Sequence, residues 1–328
     1  NIGIRIQGGY SRDKAQKSFA IFARSEYGPG VMDYAFFDNR PFEQYQAIQL
    51  RQGGQDQNIA KIKEATLLAL VEGQGYNFIV QAVKPYVLYI NGEYWGVYYM
   101  QEKRNEEFIA QHEGVVDADN MNIMKASTIV LQGSNTEYKE LIKFVDSNDM
   151  SSKENFDYIA QYIDTDSFMD LMIHQIWIAN SDYANLQYYQ ILPDGKWKQI
   201  YYDFCWTFQS GHETLKYRMD MRKAGSSLLN GLLEYKPWRD EFIERFAQVM
   251  RETYSTERVL TEIENQVDLI KDEMVAERAK FGGTVSNWET NVERMREFAR
   301  VRNSQIVQQL KDTFPLSAEQ TAMLEDAI

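Results

Sequence analysis

Two aspartates near the middle of the chain could bind a metal ion and handle a proton. Asp182 and Asp203 flank a segment that reads QYYQIL, then Pro193-Asp194-Gly195, then KWKQIYY. Two aromatic-rich apolar runs around a tight turn predict a β-hairpin, whose ends lie close together. We therefore expect Asp182, before the first strand, to approach Asp203, after the second.

Amide side chains next to these acids extend the candidate site. Asn185 and Gln187 follow Asp182 within a few residues. Carboxylate and amide oxygens suit Mg²⁺, and phosphoryl transfer needs one acid on the metal and another that orients the acceptor. The competing interpretation is structural, because Asp and Asn commonly cap turns without binding any ligand.

The N-terminal segment offers a second candidate site, for phosphate. IGIRI and SFAIFA predict two strands joined by Gly8-Gly9-Tyr10-Ser11-Arg12, and Lys17 enters the second strand. Glycine amides can approach an anion closely, and a following cation adds charge. An ordinary hairpin with a solvated Lys17 and Arg12 would look the same, and no GxxxxGK[ST] phosphate loop occurs.

Composition excludes several classes of protein. The chain has 328 residues and a net charge of −13, which disfavours binding to nucleic acid or anionic lipid. With Cys205 as the single cysteine, no internal disulfide can form, and its aromatic neighbours favour a buried structural thiol. No apolar run approaches the roughly 20 residues of a membrane span. Because the sequence begins inside a predicted strand without Met, we expect a longer gene product.

The three histidines do not support a zinc site. His112 and His212 have no metal-ligand spacing to a partner, and His174 lies in an apolar helical pattern. We expect His174 to be a core residue.

The order of predicted elements indicates an α+β, two-lobed protein. The first part is strand-rich, with one helix at 58–72 that carries Glu64 and a hairpin around Asn91-Gly92. We place a lobe boundary after residue 103, which gives lobes 1–103 and 104–328. The second lobe is predicted to be helical apart from the central hairpin, with helices at about 105–113, 134–147, 151–163, 165–179, 226–233, 237–253, 256–280 and 288–312.

Several motifs together resemble the CotH kinase family, named after an inner spore-coat protein. They are GGYSRDKAQKSFAI, GGQD, YVLYINGEYWGVYYMQEKRN, GSNTEYKEL, IANSDYANLQYY, KWKQIYYDFCWTF and NWETNVERMREFARVR. The resemblance implies an atypical protein-kinase-like fold and ATP-dependent phosphorylation of Ser or Thr in a protein, with Mg²⁺ or Mn²⁺. It also implies spore-coat or surface proteins as substrates and a location in the spore coat or at the cell surface.

The resemblance assigns roles to individual residues. Lys17, with Ser11 and Arg12, would contact the phosphates, and Glu64 would hold Lys17 through an ion pair. The stretch from Gln101 to Arg104 would form the hinge over the adenine, with Gln101, Glu102 and Lys103 as nucleotide-binding residues. Asp182 would orient the acceptor as catalytic base, Asp203 would be the principal metal ligand, and Asn185 or Gln187 would complete the metal shell.

Four departures from the family pattern leave alternatives open. One is that the Asn pair after the first acid is reduced to Asn185 and Gln187. Cys205 stands where many members have a second acid, Gln209 stands in place of a glycine, and the first loop differs from an Arg-Gly-Asn start. A nucleotide-binding pseudokinase or a structural coat scaffold would tolerate these changes. A carbohydrate-binding surface protein, suggested by 21 Tyr and 6 Trp, is a third hypothesis, although alternating aromatics fit a core.

Overall fold

Helices make up 48% of the chain and strands 18%, with the strands concentrated in the N-terminal part. This confirms the α+β class and its predicted distribution. The computed structural model describes residues 1–126, 128–182, 184–220, 223 and 225–328, and for Tyr10 the backbone alone.

The strands and helices of this part of the chain follow one another in a clear order. The strands are β1 (Gly3–Gln7), β2 (Ser18–Phe22), β3 (Met32–Asp33), β4 (Gln44–Tyr45), β5 (Ala47–Arg51), β6 (Ile79–Val80), β7 (Val83–Ile90), β8 (Glu93–Glu102), β9 (Met121–Lys125), β10 (Ile129–Gln132), β11 (Gln187–Ile191) and β12 (Lys198–Tyr201). The helices are α1 (Lys63–Val71), α2 (Glu106–Glu113), α3 (Thr136–Ser147), α4 (Lys153–Tyr162), α5 (Thr165–Trp177), α6 (Thr214–Met219), α7 (Ser226–Glu234), α8 (Lys236–Glu252), α9 (Thr256–Ile270), α10 (Met274–Phe281), α11 (Val285–Thr313) and α12 (Ala318–Glu325).

The chain divides into two compact units. The first comprises Asn1–Glu72, Val80–Ala118 and Leu260–Arg296, and the second comprises Gly73–Ile79, Asp119–Val259 and Glu297–Ile328. These units do not coincide with the lobes 1–103 and 104–328, since the first unit extends to Ala118 and takes in a C-terminal segment. The lobe assignment itself stays a prediction.

The first unit is built on a five-stranded antiparallel sheet with the order β1-β2-β5-β8-β7. Both predicted hairpins are present, and the turn between β7 and β8 places Asn91 (φ 53°) and Gly92 (φ 83°) in the left-handed region. That is the backbone an Asn-Gly turn supplies most easily. Helix α1 is shorter than predicted, because the Asp56 carboxylate accepts hydrogen bonds from Ala60 N and Lys63 N (3.0 Å each) and holds the preceding residues in turns.

The second unit contains four strands of a second sheet, in the order β10-β9-β11-β12. The prediction that only the central hairpin interrupts the helical part is therefore wrong. Strand β9, of sequence MNIMK, is buried at four of its five positions, so it lacks the alternation by which a half-exposed strand is identified. The predicted helix at 256–280 is also divided, by a 3-10 turn at Lys271–Glu273.

Helix α5 forms the core of the second unit. It is buried on nearly every side, and Trp177 stacks on Tyr254 with ring centroids 3.9 Å apart. His174 is fully buried, as predicted, and its Nδ1 lies 2.6 Å from the Tyr254 hydroxyl. Burial lowers the pKa of His174 well below its usual value. This rigid helix carries the loop that begins at Ile178. Among the described residues, no helix is both long enough and apolar enough to cross a membrane.

Candidate catalytic site

The central hairpin brings the two predicted aspartates together. Strands β11 and β12 pair antiparallel with Gln187 opposite Ile200, so the residues that flank them meet at one end. Asn185 Nδ2 donates hydrogen bonds to Asp182 Oδ2 at 2.5 Å and to Asp203 Oδ2 at 3.0 Å. A single amide group therefore spans both carboxylates.

The backbone around the acids is held in uncommon conformations. Ala179, at the start of the first loop, has a φ of 53°, and Asp203, after β12, has a φ of 61°. Non-glycine residues rarely adopt positive φ, and such residues cluster where a site fixes a side chain. The two loops are also joined, because Ser181 N donates to Trp206 O at 3.1 Å.

The electrostatics around Asp182 favour a positive group. Burial raises the pKa of Asp182, and the charge of Asp203 raises it further, whereas hydrogen bonds from Ala184 and Asn185 and the charge of Lys125 act in the opposite direction. Two carboxylates that repel one another in a half-buried site are stabilised by a cation between them.

These residues fit a hard divalent cation. The Asn185 nitrogen already donates to both carboxylates, and reversal of its amide would present an oxygen to the same position. Carboxylate and amide oxygens are ligands of Mg²⁺ and Mn²⁺. Gln187, the alternative amide ligand, begins β11 and is 4% exposed. No group of three His, Cys, Asp or Glu side chains with metal-binding geometry occurs in the described part of the chain.

Cys205 is buried, as predicted, but it also contacts the candidate site. Its exposed fraction is 4%, and its Sγ lies 3.5 Å from Asp203 Oδ1. A thiol is a soft ligand and a weak hydrogen-bond donor, so it adds little to the binding of a hard cation.

An arginine that sequence reasoning missed supports the loop of Asp182. Arg218 on α6 is 1% exposed, and its Nη2 donates to Asn180 O at 2.8 Å and to Gln175 Oε1 at 3.1 Å. The neighbouring Tyr217 hydroxyl donates to Ser181 O at 2.6 Å. Burial lowers the pKa of Arg218 to about 10. Nothing in the short segment TLKYRM marks it as a support of a loop so far away in sequence.

The predicted phosphate loop lies in the first unit. Lys17 directly precedes β2, and its Nζ donates to the carbonyl oxygen of Arg12 at 2.5 Å. Residues Tyr10–Asp13 form a 3-10 turn, with Ser11 close to Gly8. Gly8 has a φ of 118°, and a Cβ there would lie 2.2 Å from Ser11 Oγ, so this turn requires glycine.

The predicted ion pair between Lys17 and Glu64 is wrong. Glu64 Oε2 instead pairs with Arg51 Nε at 2.8 Å and accepts from Gln101 Nε2 at 3.3 Å. Arg51 ends β5 beside α1, whereas Lys17 lies outside β2, and the contact described for its ammonium is with a carbonyl. The pair is largely buried, with side-chain exposures of 14% for Arg51 and 8% for Glu64.

The predicted hinge residues differ in what their side chains can do. Gln101 is buried in a hydrogen-bonded row that runs from Gln7 through Gln49 to Glu64. The Glu102 carboxylate is held by Arg40, His112 and the Ala82 amide. Although burial acts to raise the pKa of Glu102, His112 and Arg40 hold it below its usual value. Of these three residues, Lys103 is the one whose side chain lines a pocket and could contact a ligand.

The chain was compared with models of known protein families. A family model described as CotH kinase protein matches residues 4–306 of the chain. No curated protein matches it.

Proposed function

The chain belongs to the CotH kinase protein family, and from this premise we propose that it transfers the γ-phosphoryl group of ATP to Ser or Thr of a protein substrate. A spore-coat or other surface protein is the proposed acceptor, and a protein-kinase-like arrangement is the proposed fold. The observation that carries the proposal is the bridge from Asn185 to both Asp182 and Asp203.

The acids have distinct proposed roles. Asp203 is the principal metal ligand, Asn185 is the amide donor, and Asp182 orients the acceptor hydroxyl and receives its proton. Burial and the charge of Asp203 raise the pKa of Asp182, which makes it a better proton acceptor than an ordinary carboxylate. When bound, Mg²⁺ would neutralise charge on the phosphates. Arg218 fixes the loop of Asp182 and thereby its orientation.

The first unit supplies the proposed nucleotide contacts. Lys17, with Ser11 and Arg12, is proposed to bind phosphates, and its release from the Arg12 carbonyl would free its ammonium. The Arg51–Glu64 pair joins α1 to β5, so Glu64 does not hold Lys17. The adenine is proposed to contact the main chain of Gln101 to Lys103, because the side chains of Gln101 and Glu102 are already engaged.

A phosphoryl-transfer assay tests this proposal. The protein is incubated with γ-labelled ATP, Mn²⁺ or Mg²⁺ and a Ser/Thr-rich acceptor protein, and label in the acceptor is counted. Asp203→Asn and Asp182→Asn should each lower transfer by about 10²-fold or more, since each removes a group that acts on the reacting atoms. Asp157→Asn, an exposed aspartate paired with Lys153, is the control and should match the wild type. Equal labelling by all four proteins would refute the assignment.

A nucleotide-binding protein without transfer activity is the second candidate. The contact of Cys205 Sγ with Asp203 Oδ1 favours it, because a thiol occupies a place where a second carboxylate would strengthen the metal site. It predicts that ATP with Mn²⁺ raises the melting temperature while no label is transferred. A ligand at a hundred times its dissociation constant adds about 2.7 kcal/mol of stability, which a melting curve detects easily.

A further inference from the structure

Three cationic side chains converge on one pocket of the first unit. The pocket has a volume of about 530 Å³, within the range of small-molecule sites. Arg5 comes from β1, Arg24 from the segment after β2, and Lys103 from the residue after β8. None of the three forms an ion pair with a carboxylate of the described residues. The chain as a whole has a net charge of −13, so this pocket differs in sign from the overall charge.

An aromatic ring holds two of these cations in place. The Arg5 guanidinium lies 5.1 Å and the Arg24 guanidinium 5.6 Å from the centroid of the Phe22 ring. Cation–π contacts of this kind orient a guanidinium without neutralising its charge. The planar donor groups of both arginines therefore remain available to an anion, which arginine binds in a bidentate manner when the anion is a phosphate or carboxylate.

The surroundings of Lys103, the third cation, disfavour its charged form. Burial lowers the pKa of Lys103 to about 8, and the charges of Arg104 and Arg5 contribute, while Glu106 acts in the opposite direction. A bound anion would stabilise the charged ammonium. Glu26 and Glu106 also line the pocket, so its own acids do not balance the three cations.

We propose that this pocket binds a small phosphorylated molecule, with Arg5, Arg24 and Lys103 contacting its phosphate groups. The volume exceeds that of a single phosphate, so a diphosphate or a phosphate ester with an organic part fits better. Lys103 also belongs to the stretch whose main chain is proposed to contact the adenine of ATP, whereas the present inference concerns its side-chain ammonium. Binding here needs neither the aspartates of the second unit nor a transfer step.

Calorimetric titration of the full chain tests the inference in the presence of EDTA, so that the metal site plays no part. The probes are pyrophosphate, ADP and adenosine. Pyrophosphate is expected to bind with a dissociation constant below about 1 mM. Arg24→Gln and Lys103→Gln should each weaken it about tenfold or more, because a charge-assisted contact is lost. The control is Lys84→Gln, which removes an exposed lysine paired with Asp38 and should leave binding unchanged.

The probes also separate the sources of the phosphate. Tighter binding of ADP than of pyrophosphate would support a nucleotide, and equal binding would support a ligand recognised by phosphate alone. The inference is overturned if pyrophosphate and ADP both fail to bind, if the two variants bind them as the wild type does, or if adenosine binds as well as ADP. Arg24→Gln changes an exposed side chain, and an unchanged melting temperature shows that it folds. Loss of transfer in Asp203→Asn would leave this result untouched, so the two proposals fail independently.

Discussion

Cys205 is the residue to which the proposed metal site is most sensitive, because its side chain contacts Asp203. The Sγ atom lies 3.5 Å from Asp203 Oδ1, so an acid at this position would place a second carboxylate beside Asp203. Affinity for hard divalent cations rises with the number of carboxylate ligands.

We predict that Cys205→Asp increases Mn²⁺ affinity by about tenfold, because it adds a negative oxygen donor beside Asp203. The Mn²⁺-induced rise in melting temperature measures the affinity. Cys205→Ser, which keeps the size but adds no charge, is the control and should remain near the wild type. If Asp and Ser gave the same Mn²⁺ response, the thiol would not lie beside a metal position.

The proximity of the three cations that line the pocket could not be predicted from the sequence. Arg5, Arg24 and Lys103 are far apart along the chain, and each is an ordinary charged residue in its own segment. Only the pairing of β1 with β2, of β2 with β5 and of β5 with β8 places the first two near the third. By contrast, the meeting of Asp182 and Asp203 could be predicted, because a hairpin joins its own ends.

At the scale of elements, β5 and α1 are joined by the ion pair of Arg51 and Glu64. The sequence identified the helix and its acid but not the partner, since the partner depends on strand register and on where α1 begins. The turn held by the Asp56 carboxylate moves the start of α1 to Lys63, and the spacing of apolar residues gives no sign of this turn.

We predict that Arg51→Met lowers the free energy of unfolding by about 3 kcal/mol, because it leaves a largely buried carboxylate without its cation. Lys17→Met should change it by less than about 0.5 kcal/mol, since its ammonium contacts a carbonyl at the surface. Urea unfolding of both variants measures the difference. Equal losses, or a larger loss in Lys17→Met, would contradict the observed pairing.

Helix α10 packs against β8 at a position that admits only glycine. Gly96 has a φ of 99°, and a Cβ there would lie 2.2 Å from Glu277 Oε2 and 2.6 Å from Gln16 Nε2. Glu277 is engaged in a buried ion pair with Lys61 and accepts a hydrogen bond from Val97 N at 2.7 Å.

We predict that Gly96→Ala costs about 3 kcal/mol of stability, since it adds overpacking to backbone strain. Gly92→Ala is the matched control, because Gly92 has a φ of 83° but nothing within 4 Å of a Cβ. It should cost about 1 kcal/mol, the strain alone. Chemical unfolding compares the two, and equal costs would show that α10 does not press on this site.

At the scale of the whole molecule, buried tyrosines should control stability in alkaline solution. Burial raises the pKa of Tyr45 to about 12 and raises the pKa of Tyr99, Tyr201 and Tyr254 as well. Above the ordinary tyrosine pKa of about 10, the unfolded chain loses these protons and the folded chain keeps them. The contribution of these tyrosines to the free energy of unfolding is therefore fully present below about pH 10, and it is lost as the pH rises above that value.

We predict that Tyr99→Phe makes this fall less steep by up to about 1.4 kcal/mol per pH unit between about pH 10 and 12. Tyr99 is 3% exposed, and its hydroxyl has no hydrogen-bond partner among the described residues, so the change should be near neutral at pH 7. The measurement is urea unfolding over a series of pH values. Tyr34→Phe, at a tyrosine that is 65% exposed, should follow the wild-type slope; a Tyr99→Phe slope equal to it would contradict the prediction.

The family match and the contact of Asn185 with both aspartates support our central proposal, that the end of the hairpin β11–β12 binds a divalent cation for phosphoryl transfer. Titration with Mn²⁺, followed by the paramagnetic resonance of the free ion, tests it most directly. We predict that one Mn²⁺ binds per wild-type chain. The affinity for Mn²⁺ should be about tenfold to 100-fold lower in Asp203→Asn and in Asn185→Leu. If both variants bound Mn²⁺ as tightly as the wild type, the acid pair would not be the metal site.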